Sequence, residues 1–265
     1  MSLRQPAQDW AVQLFHKSPL KQAKYRQIID FLGDTQTLRC LDIGSDNGAI
    51  SYLLRKRGGS WASADLEETI VRQITELVQR DVFRIDGLHT PFDDATFDKV
   101  VIIDFLEHID TDEAFIHELF RIIKPGGELI INVPHRRDTL LRRLRLALGH
   151  TDEKHGHVRP GYTLEDLAKL LNARFAILQH REYSRAFSEL VDIAINSTLV
   201  RSGSTAEVTG KGVSVTAADL SKHHKTYRLY SFLYPLIWSI TRLDALLPGS
   251  DGYMLIVRAR CEKPA

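Results

Sequence analysis

Cysteine is scarce in this chain. Cys40 and Cys261 are the only two in 265 residues, which excludes the disulfide framework of a small secreted module. Both read as reduced thiols of a cytoplasmic protein. No run of 18 apolar residues exists, so no bilayer-spanning helix is predicted. The opening MSLRQPAQDW lacks the apolar heart of a signal peptide. Charge of one sign is missing as well: 35 Lys and Arg face 34 Asp and Glu, a net charge of +1. General attraction to nucleic acid or to an anionic membrane is therefore not expected, and any such contact has to come from a local patch. No internal repeat is present.

What remains, 43% hydrophobic and 26% charged residues, is enough for one sizeable core carrying insertions. The stretch LRCLDIGSDNGAISYLLRKRG, from Leu38 to Gly58, reads as a buried strand, a glycine-bearing turn and a helix in succession. Cys40, Leu41 and Ile43 supply the strand, while Ile50, Leu53 and Leu54 recur at helical spacing. Gly44 and Gly48 allow a tight turn and a close approach of ligand, and Asp42 falls at the strand's carboxyl end, where open α/β sheets bind ligands. A dinucleotide fingerprint starting at Gly44 fails twice, at Asp46 and Ala49. The Gly-Lys-Ser/Thr ending of a P-loop is absent too. An acidic turn suits a cofactor carrying positive charge.

At this point the residues resemble the class I S-adenosylmethionine-dependent methyltransferases, of the small-molecule (type 11) kind. Asp42, Gly44 and Gly48 match the family's first motif, and Asp46 stands where the middle glycine usually is. SWASADLEE places Asp65 after a short strand, where the resemblance implies a grip on the ribose hydroxyls. DVFRIDG ends at Asp86 and Gly87, implying the adenine edge. LHTPFDDATFDKVVIIDFLEHI (88–109) resembles the family's fourth strand and following helix start, and LFRIIKPGGELIINVPH (119–135) its helix, Pro-Gly-Gly turn and fifth strand. Five ordered matches over about a hundred residues form a specific signal. The cofactor-binding set so implied is Asp42, Gly44, Ser45, Gly48, Asp65, Leu66, Asp86, Gly87 and Asp104, with S-adenosylmethionine as donor and S-adenosylhomocysteine as product.

Strands are expected near 39–43, 60–64, 81–85, 98–104 and 128–133, alternating with helices near 47–57, 67–79 and 111–123, a pattern that forces a parallel sheet. The fold class is thus α/β: a Rossmann-like, seven-stranded, mostly parallel sheet with an antiparallel last strand, helices on both faces, and helical insertions after strands 5 and 6. The last strand, GYMLIVRAR, is expected at the sheet's edge. Four regions are expected: an N-terminal helical lid (1–37), broken at Ser18-Pro19; the cofactor-binding core (38–134); a basic helix and His-rich loop (135–162); and the rest of the sheet (163–265), with a helical aromatic insertion at about 184–250. Thr163 and Asp166 stand at capping-box spacing. RSGSTAEVTGKGVSVT reads as a mobile loop.

Two histidines could act on protons. His108, in LEHI just past the fourth strand, is the natural base for a hydroxyl acceptor, and His135, past the fifth, is a second candidate; either could instead be structural. Asp46 reads as a helix-capping turn residue or as a carboxylate favouring a cationic ligand. His150, Asp152, Glu153, His155 and His157 invite a metal reading, but they lie in a Gly-containing loop without helical i, i+4 pairing, so no metal is expected. That loop, with Arg159 and Tyr162, is expected to cover the acceptor. Arg136, Arg137, Arg142, Arg143 and Arg145 crowd one helix whose leucines 140, 141, 144 and 148 could pack inward, leaving a solvated basic face or an anion-binding one.

The resemblance implies methyl transfer to an O, N or C nucleophile of a small-molecule, glycan or lipid-linked acceptor. The alternative is a non-catalytic, regulatory binder of S-adenosylmethionine. Nucleic acid is not expected as partner, since there is no Asn-Pro-Pro-Tyr motif and no basic tail. The aromatic segment 227–247 allows peripheral membrane contact.

Overall fold

The computed structural model describes residues 9–149, 151–152, 156–201, 208–209, 212–213, 224–247 and 252–264. Its frame is set by short apolar strands: β1 (Arg39–Ile43), β2 (Ser60–Asp65), β3 (Val82–Arg84), β4 (Phe97–Ile103), β5 (Ile123–Pro134), β6 (Phe175–Tyr183) and, last in the chain, β9 (Met254–Cys261). They form one seven-stranded sheet in the order β3-β2-β1-β4-β5-β9-β6. The runs VVII in β4 and LII in β5 are apolar on both faces, as a sheet covered twice requires. Alternate residues divide between two layers. Leu41, Ile43, Val100, Ile102, Leu129 and Ile131 pack on α5 (Asp112–Ile122) and α7 (Leu164–Leu171). Cys40, Val101, Ile103 and Ile130 pack on α1 (Trp10–His16), α2 (Pro19–Leu32) and α3 (Ala49–Arg55).

Local signals set the helix ends. Ser18 accepts from the Lys21 amide and Pro19 opens α2. Thr163 and Asp166 close the expected capping box on α7. α4 (Glu68–Val78) crosses between β2 and β3, and α6 (Leu140–Ala147) and α8 (Ala186–Arg201) flank α7 and β6 in sequence.

Two expectations need correction. β5 pairs with β4 from Ile123 onward, so the Pro-Gly-Gly segment lies inside the strand, at an irregularity opposite Phe97 to Lys99. The antiparallel strand β9 is also not at an edge: Val257 pairs with Ile131 of β5 on one side and His180 of β6 on the other. Composition explains it. Leu255, Ile256 and Val257 are fully buried and suit an internal strand, whereas β6 has exposed Leu178 and His180 and only half-buried Gln179 and Arg181, and tolerates water at an edge. Of the expected mobile loop, the hairpin β7 (Val208–Thr209) and β8 (Gly212–Val213) is described and the rest lies outside the described residues. The aromatic segment forms α9 (His224–Arg242) and a 3-10 turn (Leu243–Leu246).

Candidate active site

The strand order reverses between β1 and β4, the switch point where open sheets of this kind bind ligands. The turn after β1 opens there. Gly44 (φ +88°) cannot carry a side chain, because a Cβ would stand 2.3 Å from the carbonyl oxygen of Ile103 on β4. Asp46 holds the left-handed conformation (φ 56°) in place of the usual glycine, and its carboxylate takes the Lys21 amine at 2.9 Å. Gly48 occupies the N-cap of α3 without a side-chain bond, and Asn47 Oδ1 accepts from Ala49 N at 3.3 Å.

Asp42 is fully buried beneath this turn. Its carboxylate accepts from Ser51 and, at 2.7 Å, from Ser63, while Arg55 Nη1 lies 3.5 Å away. Ser45 is buried too, its hydroxyl 2.5 Å from that of Ser51. Burial pushes the Asp42 carboxyl above its ordinary value, although Arg55 and the three serines pull the other way. Asp42 thus fastens β1, β2 and α3 together. Asp65 ends β2, buried, with Oδ1 accepting from Glu67 N at 3.3 Å; Leu66 follows, packed on the core. Asp86 is exposed and closes its own loop, accepting from Leu88 N at 2.8 Å and His89 N at 2.7 Å, bonds that hold its carboxyl below the ordinary range. Gly87, beside it, accepts from Thr111 Oγ1 at 3.1 Å.

Past β4, Asp104 also sits at positive φ (45°). It is ion-paired with Lys24 of α2 and accepts from Asn132 Nδ2 at 2.8 Å; Asn132 in turn accepts from the Tyr183 hydroxyl. Burial draws the Lys24 amine down, but Asp104, Glu107 and Asp46 outweigh it and hold it above the ordinary lysine range. Sequence reasoning missed Lys24, Asn132 and Tyr183, since no local pattern joins residues so far apart. An acid-rich rim of this kind fits a ligand bearing a sulfonium and an ammonium.

Beyond Asp104 a 3-10 turn, Leu106–His108, carries buried Glu107 and half-buried His108. His108 Nδ1 lies 2.9 Å from Gly156 O, and its ring meets His157 edge-on at 4.8 Å between centroids. His135 sits at the end of β5, with Nδ1 3.1 Å from Gly252 O and 3.5 Å from Glu182. The two histidines therefore have different surroundings, His108 facing the insertion loop and His135 the ends of β6 and β9.

The insertion departs from expectation. Arg142 pairs with Asp152 at 2.7 Å, and Arg145 pairs with Asp192 of α8 while its guanidinium lies over Tyr253, 5.6 Å from the ring centre. Most of the leucines here point outward instead: Leu140 is 82% exposed, Leu144 of α6 and Leu148 just after it are exposed as well, and Leu141 is half-buried. The acids on α8 and the loop draw the arginines in, and the helix has to turn its leucines to solvent. Arg159 pairs with Asp112, and the Tyr162 hydroxyl lies 2.9 Å from the same carboxylate, so both pin the loop to α5. Of the five loop residues from which no metal site was expected, Asp152 is bound to Arg142, His157 meets His108, and His150, Glu153 and His155 lie outside the described residues.

Such a sheet, with an acidic glycine turn at its switch point, defines the Rossmann-like class that binds nucleoside cofactors. A family model described as a methyltransferase domain matches residues 41–131, the span from β1 into β5. The chain is similar to a ubiquinone biosynthesis O-methyltransferase of Rickettsia conorii, 26% identical over 133 residues, which are 49% of this chain and 45% of that protein. It is equally similar to a demethylmenaquinone methyltransferase of Tropheryma whipplei, 26% identical over 159 residues, 58% of this chain and 62% of that one. The chain thus spans about half of the length of these relatives. Among solved structures, the cyclase SpnF superposes with a TM-score of 0.60 at 18% identity, covering 92% of this chain and 83% of that one, a likeness of fold alone. Over residues 41–131 the chain thus resembles the methyltransferase domain, a match that supports a class I S-adenosylmethionine-dependent methyltransferase.

Proposed function

We propose that the protein transfers the methyl group of S-adenosylmethionine to an oxygen, nitrogen or carbon nucleophile of a partly apolar small-molecule, glycan or lipid-linked acceptor. The observation that carries this reading is the grouping, at the carboxyl ends of β1, β2 and β4, of the Gly44–Gly48 turn, buried Asp65 and the Lys24–Asp104 pair.

Methyl transfer is an in-line displacement in which the sulfonium charge disappears. Orientation supplies roughly 7–11 kcal/mol of such a reaction, so residues that hold the partners matter although none exchanges a bond. Asp65 and Leu66 would hold the ribose, Gly87 and Asp86 the adenine edge, and Gly44, Ser45 and Gly48 the methionine end. Asp42 would act by positioning that turn, its carboxylate being engaged with Ser51, Ser63 and Arg55. Asp104 and Asp46 would face the cationic groups, with α1 and α2 as the lid of an N-terminal region (1–37) set against the core. His108 is the base candidate: its Nδ1 faces a carbonyl and so carries the proton, which leaves Nε2 as acceptor. His135, tied to Gly252 and Glu182, would act by positioning.

Apolar surface favours the lipid-linked kind of acceptor, as do the quinone-pathway names of the relatives. Phe232 on α9 is 81% exposed, and Leu236 on the same helix and Leu246 in the following turn are exposed as well. An open groove of about 340 Å³ between α2 and α9, lined by Ala23, Arg26, Tyr183 and Trp238 among others, reaches the Tyr183 that bonds Asn132. Peripheral lipid contact through 227–247 would present such an acceptor to the groove.

The test has two steps. S-adenosylhomocysteine should raise the melting temperature, an effect an Asp65→Ala variant loses; labelled S-adenosylmethionine should then mark a component of lipid extracts. Binding without turnover on lipid, saccharide or metabolite fractions would favour a regulatory binder, and no binding would overturn the reading.

A further inference from the structure

We propose that Glu107, His108 and His157 form a binding site for one divalent transition-metal ion. One ligand atom from each lies within 4.8 Å of the others. Ligands around zinc at 2.0–2.2 Å stand roughly 3–3.5 Å apart, so modest rotation of two imidazoles closes the site. The residues come from opposite parts of the chain. Glu107 and His108 follow β4, and His157 belongs to the insertion after β5.

Two bonds on either side of His157 hold that insertion in place. Val158 N donates to Glu107 O at 2.9 Å, and Gly156 O lies 2.9 Å from His108 Nδ1. The second contact has a chemical consequence. A carbonyl oxygen only accepts, so His108 carries its proton on Nδ1 and presents the Nε2 lone pair, the arrangement in which metal-binding histidines are held by an outer carbonyl. The Glu107 carboxylate is fully buried, and removing such a charge from water costs several kcal/mol unless cations compensate. Lys24 is within electrostatic reach of it. A bound divalent ion would add a compensating charge at the site.

Two imidazoles and one carboxylate form a donor set for zinc, cobalt, iron or manganese, and a poor one for calcium, which takes oxygen ligands throughout. Three protein ligands leave at least one coordination position open. The role of that position rests on the methyl-transfer reading above, with the metal taking the place of His108 as base, since an Nε2 lone pair given to the metal cannot also accept a proton. An acceptor hydroxyl bound there would release its proton to solvent; the oxygen would form a bond to the methyl carbon as the carbon–sulfur bond breaks, and the sulfonium would leave as a neutral thioether. Metal binding itself does not depend on that reading.

The full chain, stripped with chelator and titrated with Co²⁺ and Zn²⁺ without cofactor or acceptor, should take up one equivalent, followed by cobalt visible absorption and calorimetry. His157→Ala and Glu107→Gln should each weaken binding about ten-fold or more, and His157→Ala should retain S-adenosylhomocysteine binding and cooperative unfolding. His157 is half-buried in a loop, so this variant carries the test even where Glu107→Gln fails to fold. Wild-type uptake well below one equivalent, or equal affinity in His157→Ala, would overturn the site. Cofactor binding without metal uptake would sink the metal site and leave the function standing; metal uptake without cofactor binding would do the reverse.

Discussion

The ammonium of Lys24 on α2 is ion-paired with Asp104 at the end of β4, tying the N-terminal helices to the carboxyl edge of the sheet. Both side chains are partly covered, at 21% and 30% exposure, so the pair is worth more than a surface bridge and less than a fully buried one. Lys24→Ala should lower stability by about 2 kcal/mol, read by urea unfolding. Adding Asp104→Asn should recover part of that loss. A coupling energy near zero in the double-mutant cycle would show that the two groups do not sense each other.

Gly44 and Gly126 both hold positive φ, yet they differ in what surrounds them. A Cβ at Gly44 meets the Ile103 oxygen at 2.3 Å, whereas a Cβ at Gly126 meets nothing within 4 Å. Gly126→Ala therefore suffers only the left-handed strain, about 1 kcal/mol. Gly44→Ala has to displace β4 or the turn, and should lose about 3 kcal/mol or more together with cofactor binding. Equal melting temperatures for the two variants would contradict this placement of β1 against β4.

Much of this architecture is legible in the sequence because it is local. The Leu38–Gly58 strand, turn and helix, the alternation of elements through Ile131, and the Thr163–Asp166 capping box all depend on neighbours within one turn or one crossover. What the sequence hides is long-range pairing. The internal place of β9 follows from the difference in apolar content between MLIV and QHRE, but only once both strands compete for one position beside β5. The outward leucines of α6 follow from Asp192 and Tyr253, residues 47 and 108 positions from Arg145. A cluster of histidines within one loop suggested no metal, and His157 lies instead near Glu107 and His108 on another element, a neighbourhood that no local pattern reveals.

The two thiols should be inert in the folded protein. Both are buried, and burial pushes the Cys40 thiol up to about 12, with Cys261 raised in the same direction. At pH 8 only about one Cys40 in 10,000 would be thiolate, the reactive form. Iodoacetamide should modify neither cysteine in native protein over an hour and both after denaturation, by intact mass. Rapid native labelling of Cys40 would mean that β1 opens to solvent.

Asp42 and Arg55 give a pH signature whose sign can be worked out. Burial raises the Asp42 carboxyl in the folded state, against the pull of Arg55, relative to an unfolded value of about 3.9. A carboxyl raised on folding contributes stability when protonated; that contribution is complete below the unfolded value and is lost as pH rises through the folded one. Arg55→Ala removes the guanidinium 3.5 Å from the carboxylate and leaves only the serine hydrogen bonds, raising the folded value further. Removing one member of a buried pair costs about 3–5 kcal/mol when the other stays charged. The deficit of Arg55→Ala relative to wild type should therefore be small near pH 4, where Asp42 can be neutral, and should widen toward pH 8. Adding Asp42→Asn, which takes the stranded charge away, should recover at least about 1 kcal/mol at pH 8. Urea unfolding of wild type, Arg55→Ala, Asp42→Asn and the double variant at pH 4.5, 6 and 8 measures both effects. A pH-independent deficit with no recovery would mean that Arg55 matters for its packing and hydrogen bonds to Ser63 and Trp61, and not for the charge beneath the glycine turn.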